Sequence, residues 1–77
     1  MIRSFDQLSF ITRFPHAQRL HSNFDWEYAI GDYRIRYDED MDEVQIENSS
    51  NGYCVDGLTS RKAIPILYLL GLDDPSI

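Results

Sequence analysis

The chain has 77 residues, of which 43% are hydrophobic and 26% charged, with a net charge of −6 and one cysteine. That length makes a single domain, 1–77, which hides only ~60% of the surface its unfolded form exposes and has little room for a deep catalytic cleft. The lone Cys54 excludes an internal disulfide framework, and aromatic and aliphatic residues spread along the chain exclude disorder throughout.

Ser4 and Gln7 have the spacing of a capping box, and Phe5, Leu8 and Ile11 follow at helical spacing. A first helix is therefore predicted, ended near Thr12 or Arg13 by Pro15, because the residue before a proline avoids helical backbone. His16 to His21 is predicted as a second short helical turn with Pro15 at its first position.

From Phe24 the period becomes two. Phe24, Trp26, Tyr28 and Ile30 alternate with Asp25, Glu27 and Ala29. Gly31-Asp32 is a two-residue hairpin turn, after which Tyr33, Ile35 and Tyr37 alternate with Arg34, Arg36 and Asp38. A loop over 39–42 leads to Val44 and Ile46, which alternate with Glu43, Gln45 and Glu47. Ser49-Ser50-Asn51-Gly52 is a turn, and Tyr53-Cys54-Val55-Asp56 a short fourth strand.

The turns fix a register. With Ile30 opposite Tyr33, Asp38 opposite Glu43 and Asn48 opposite Tyr53, every apolar strand residue falls on one face, whereas a slip of one residue would turn a whole strand over. The same register sets Glu27 opposite Arg36 and Arg34 opposite Glu47 on the other face, pairs that would engage both arginines. After Gly57, Thr59 or Ser60 can cap a last helix, with Leu58 just outside it; Ala63, Ile64, Ile66, Leu67, Tyr68, Leu69 and Leu70 follow, Gly71 is its stop, and Pro65 is tolerable in a first turn but would kink a longer helix. The fold expected is α+β: an N-terminal helix, a four-stranded antiparallel meander and a C-terminal helix, both helices on the aromatic face of the sheet.

The charge is unevenly placed. Residues 1–22 carry Arg3, Arg13 and Arg19 against Asp6, while residues 23–56 carry ten acids against Arg34 and Arg36. Five of the 13 acids stand in the six positions from Asp38 to Glu43. A strongly negative middle repels a phosphate backbone, so direct nucleic-acid binding is not expected. An acidic surface instead attracts basic partners, including the basic clefts of nucleic-acid-binding proteins. A dense acidic row is a plausible stand-in for DNA phosphates, spaced ~1.7 Å along the duplex axis. The bland alternative is a solvated loop whose charges keep the protein soluble and oppose edge-to-edge aggregation.

Other chemistries find less support. Asp38, Asp40 and Asp42 match the first three ligands of an EF-hand loop, but Glu43 stands where that loop needs glycine and Ser49 where it needs glutamate. His16 and His21, five apart, do not share one face of a zinc-binding helix. Cys54 lies among acids, which disfavour a thiolate. No metal, no cofactor and no enzymatic activity are therefore expected. Phe24, Trp26, Tyr28, Tyr33, Tyr37 and Tyr53 could stack nucleic-acid bases, but the domain needs that face for its core. The stretch from Ala63 to Leu72 is apolar on every side, which suits a buried helix or contact with another chain. Ten residues are too few to span a bilayer. No signal peptide is visible at the N-terminus, and a reducing cytoplasm suits the lone thiol.

The function expected is therefore a small acidic, cytoplasmic protein-binding module, an inhibitor or adaptor. It would present Asp25, Glu27, Asp38, Glu39, Asp40, Asp42, Glu43 and Glu47 to a basic surface of another protein, such as one that binds nucleic acid. Small acidic anti-defence inhibitors carried by phages or mobile elements share this size and charge, by analogy of class alone. The alternative is a structural subunit or obligate homodimer joined through Leu67, Leu69 and Leu70.

Overall fold

The computed structural model describes residues 7–72. In chain order these form α1 (Gln7–Arg13), β1 (Gln18–Leu20), β2 (Trp26–Ile30), β3 (Tyr33–Asp38), β4 (Glu43–Asn48), β5 (Tyr53–Thr59) and α2 (Ser60–Leu69). The strands make one antiparallel meander, β1-β2-β3-β4-β5. The architecture is the expected α+β, with five strands where four were predicted. No helix among the described residues is long and apolar enough to cross a membrane.

The additional strand is β1. Where a helical turn was predicted, the Phe14 carbonyl accepts from the Ala17 N–H and closes a tight turn. The chain then extends, placing Gln18, Arg19 and Leu20 opposite Ala29, Tyr28 and Glu27. Three residues are too few to display a period, so their sequence gives no strand signal.

The registers inferred at all three turns hold. Trp26 faces Tyr37, Ile35 faces both Tyr28 and Ile46, Tyr37 faces Val44, and Ile46 faces Val55. β5 runs further than predicted because of a bulge. Val44 pairs with Leu58 and Ile46 with Val55, so Asp56 and Gly57 together oppose Gln45. Gly57 adopts φ +73, a left-handed conformation that glycine takes without a Cβ clash. The extra residue turns Leu58 back to the core face beside the fully buried Val44, and Thr59 remains strand.

The core lies on the aromatic face. Trp26, Tyr28, Ile35, Tyr37, Val44 and Ile46 are buried there beneath Phe10, Phe14, Ala63 and Leu67. α1 presents Phe10, and Phe14, the residue just after the helix, stands one turn on, with the Phe10 ring 4.8 Å from Trp26 and 5.1 Å from Tyr28. The predicted face of α1 is thus corrected: Leu8 and Ile11 are exposed, and Phe5 and the capping residue Ser4 lie outside the described residues. Two phenylalanines at i, i+4 bury more apolar area than Leu8 and Ile11 would, so they take the inner side. The Gln7 side-chain amide donates to the Tyr28 hydroxyl at 2.9 Å, giving that buried phenol a partner.

α2 lies over β4 and β5 and follows the strand without a break. Thr59 occupies the N-cap position, but its hydroxyl makes no cap bond. Pro65 sits in the second turn and forfeits only the bond to the Arg61 carbonyl, on a solvated side of the helix. The C-terminus closes as predicted at Gly71, φ +74. The Gly71 N–H donates to the Tyr68 carbonyl and the Leu72 N–H to the Leu67 carbonyl, the bond pair of a Schellman motif. Leu67 and Leu72 are both buried beside it, and His16 Nε2 lies 2.7 Å from the Leu72 carbonyl oxygen, tying this end to the turn after α1.

Candidate functional site

The sheet has one covered and one open face, as antiparallel sheets commonly do. Residues that alternate with the core residues therefore stand together on the open side. Along β3 and β4 these are Arg34, Arg36, Asp38, Glu43, Gln45 and Glu47, flanked by Glu27 from β2 and by Cys54 and the bulge residue Asp56 from β5.

Arg36 organises this face. Its directly opposed neighbours are Glu27 and Gln45. Its Nε donates to Glu27 Oε2 at 3.0 Å, one terminal nitrogen to Gln45 Oε1 at 3.2 Å and the other to Glu47 Oε1 at 3.5 Å. A planar guanidinium can serve three acceptors at once. The expectation that Arg34 pairs with Glu47 is corrected in part: the two are opposite in register, but the ion pair to Glu47 comes from Arg36, the diagonal neighbour. Glu27 is only 6% exposed and committed to Arg36, so it offers no free charge to a partner.

Phe24 also departs from expectation. It precedes β2 rather than lying in it, and its ring stands 5.9 Å from the Arg36 guanidinium carbon, on the open face. The bend over 23–25 breaks the alternation that placed Phe24 with Trp26. Phe24, Arg36, Asp38, Glu43, Gln45 and Asp56 line a shallow depression of about 200 Å³. A neighbouring hollow of about 350 Å³ is lined by Asn23, Phe24, Asp25, Asp38 and Asp40. Asp56 and Phe24 are thus site residues that the predicted set omits. The bulge at Gly57 and the bend at residues 23–25 bring them there, and neither follows from alternation alone.

The β3–β4 connection is built from its own carboxylates. Asp38 Oδ1 accepts the backbone N–H groups of Asp40 and Met41, an Asx turn at the end of β3. Asp25 Oδ2 accepts the Glu39 N–H at 2.6 Å, fastening the loop to the segment before β2. Asp42 adopts φ +50, and its Oδ1 accepts the Tyr37 hydroxyl at 2.6 Å from the core side. Aspartate is among the few non-glycine residues that tolerate this backbone region. Of the predicted acidic set, Asp25, Asp38 and Asp42 therefore shape the loop, and Glu27 and Glu47 balance Arg36. Asp40 is exposed at the tip and Glu43 half-buried at the strand end.

The hydrophobic trio divides. Leu67 is fully buried within the domain, Leu70 half-buried and Leu69 85% exposed, so Leu67 is not available as a contact with another chain. Among the described residues no group of three His, Cys, Asp or Glu side chains is placed to hold a metal ion. Cys54 is exposed beside Glu47 on the open face. No protein-family model, curated protein or solved structure matches this chain.

Proposed function

We propose that this protein is a non-enzymatic binding module, an inhibitor or adaptor that docks its acidic β3–β4 hairpin and open sheet face on a basic surface of a partner protein. The observation that carries the reading is the pinned hairpin. Carboxylates at positions 25 and 38 hold the loop backbone and that of Asp42 ties the loop to the Tyr37 hydroxyl, while Glu43 and Asp56 line one hollow beside Phe24 and Asp40 lines the neighbouring one. A loop fixed before contact loses little conformational freedom on binding, which favours affinity. The partner is one whose basic surface otherwise meets nucleic acid, since a rigid row of acids substitutes for phosphates there. The compartment is the reducing cytoplasm, where Cys54 stays a thiol.

The test is capture from native lysate at low salt on the tagged chain, elution by a salt step and identification by mass spectrometry. One nucleic-acid-handling protein should leave as salt rises, and association should slow steeply with ionic strength. The variant Asp40→Asn/Glu43→Gln/Asp56→Asn should fail to retain it. Unchanged retention by that variant would show that the acidic face is not the contact.

A second reading, a structural subunit or homodimer joined through α2, is favoured by Leu69, which is 85% exposed. Sedimentation that finds a monomer at micromolar concentration eliminates the homodimer.

A further inference from the structure

The β4–β5 turn carries the pair Asn51-Gly52 at the end of the sheet away from the acidic hairpin. Asn51 and Gly52 are both exposed, and nothing lies within 4 Å of the place where a Cβ on Gly52 would stand. Asn51 Oδ1 accepts the Tyr53 N–H at 2.9 Å. That bond closes an Asx turn, a ring in which the Gly52 nitrogen lies between the Asn51 backbone and the Tyr53 donor. The bond restrains the Asn51 side chain to the stretch of backbone that contains the Gly52 nitrogen, and proximity of this kind is a large part of an intramolecular rate.

We infer that Asn51 is a site of spontaneous modification, its side-chain amide passing through a cyclic imide with Gly52 to aspartate and isoaspartate. The Gly52 nitrogen, having lost its proton to hydroxide, attacks Cγ of Asn51. Negative charge develops on Oδ1, where the Tyr53 N–H already donates, the placement that stabilises an oxyanion. The new N–Cγ bond closes a five-membered ring, and the Cγ–Nδ2 bond breaks as the leaving nitrogen takes a proton from water, releasing ammonia and regenerating hydroxide. Water then adds to one of the two imide carbonyls. Opening on one side leaves an ordinary aspartate at this position. Opening on the other routes the main chain through the former side chain and lengthens the turn by one carbon.

The chain contains its own comparisons. Asn48 is 5% exposed, and its Oδ1 accepts the N–H groups of Ser50 and Asn51. Asn23 is exposed, but the bulky Phe24 follows it and hinders attack by its nitrogen. Gly52, free of a side chain, is what distinguishes Asn51 from both. Neither product depends on the proposed docking reading. The added charge lies beyond Asn48, five residues along β4 from Glu43, a separation of about 17 Å at ~3.4 Å per residue.

The experiment holds the purified full chain at physiological temperature and mildly alkaline pH, with aliquots digested under acidic conditions and sequenced by electron-based fragmentation. The peptide containing Asn51 should lose its amide with time, in proportion to hydroxide, and give both aspartyl isomers. Asn23 and Asn48 should keep theirs, and an Asn51→Gln variant should remain unmodified. The inference is overturned if Asn51 keeps its amide in the folded chain while the same chain in denaturant loses it. Loss at Asn23 as fast as at Asn51 overturns it equally.

Discussion

Replacing Arg36 by alanine strips Glu27 of its charge partner. The two side chains are 15% and 8% exposed, and their contact is 3.0 Å. Removing one member of a buried pair costs about 3–5 kcal/mol, since the other charge stays desolvated and unpaired. A fully exposed pair contributes about 0–1 kcal/mol. Arg36 borders an open depression, so water can enter and the low end applies, about 3 kcal/mol. A 77-residue domain has a total stability of about 4–12 kcal/mol, so the variant loses a large fraction of it. At about 4–8 °C per kcal/mol for a domain of this size, the melting temperature should fall by about 12–24 °C. Trp26, the one tryptophan, is buried and stacked on Tyr37 at 5.3 Å, so its fluorescence reports urea unfolding directly. Adding Glu27→Gln to Arg36→Ala removes the stranded charge and should restore much of the loss, a coupling of about 0.5–3 kcal/mol. A change for Arg36→Ala within about 0.5 kcal/mol, the range of ordinary surface substitutions, would refute the buried-charge argument. So would a double variant as unstable as the single, because the cost would then lie in the packing of the Arg36 stem.

The same unfolding assay separates other sites. Leu67→Ala, at a position with no exposure, should cost about 2–5 kcal/mol, whereas Leu69→Ala, at 85% exposure, should stay within about 0.5 kcal/mol. Gly57→Ala should cost about 1–2 kcal/mol even though the added methyl meets no atom within 4 Å, since the left-handed backbone at the bulge disfavours any side chain. Asp38→Ala, which removes the acceptor of two loop N–H groups, should cost about 1 kcal/mol, and Asp40→Ala, two residues on, close to nothing. Equal effects at positions 38 and 40 would mean that the loop is not held by the Asp38 carboxylate.

The sheet was legible because its signal is redundant. Each of β2, β3 and β4 alternates over five or six residues, and the turns must agree with one another for Trp26, Ile35, Tyr37, Val44 and Ile46 to share a face. Elements too short to repeat a pattern were not legible. β1 is Gln-Arg-Leu, and a strand reading of it requires knowing that the β2 edge is vacant. α1 has seven residues, so Leu8 and Ile11 competed on equal terms with Phe10 and Phe14 until a partner face decided between them. Alternation also fails wherever the backbone steps out of it, at the bend before β2 and at the Gly57 bulge, and those steps bring Phe24 and Asp56 to the site. Register named the residues opposite each arginine but not the direction of a long side chain. Arg36 stands between two acceptors, Glu27 and Gln45, and Arg34 between Ala29 and Glu47.

Counting acids overstates what the hairpin offers to a partner, because a carboxylate that holds the loop is committed before any encounter. Asp25 and Asp38 accept three backbone N–H groups of the loop between them, and Asp42 takes the phenol of a core tyrosine. Removing their charge also removes the restraint, so a loss of binding at those positions would not distinguish electrostatics from shape. Asp40, Glu43 and Asp56 differ: none of their carboxylates accepts from a residue of the β3–β4 loop. The acids of this face are thus two sets. One set substitutes for the hydrogen bonds that a tight glycine-rich turn would make within its own backbone. The other, Asp40 and Glu43 on that hairpin with Asp56 on the β5 bulge, sets the field around Phe24. A loop built this way can be strongly charged and still ordered, since the attraction of backbone N–H groups for the inner carboxylates opposes the mutual repulsion of the outer ones.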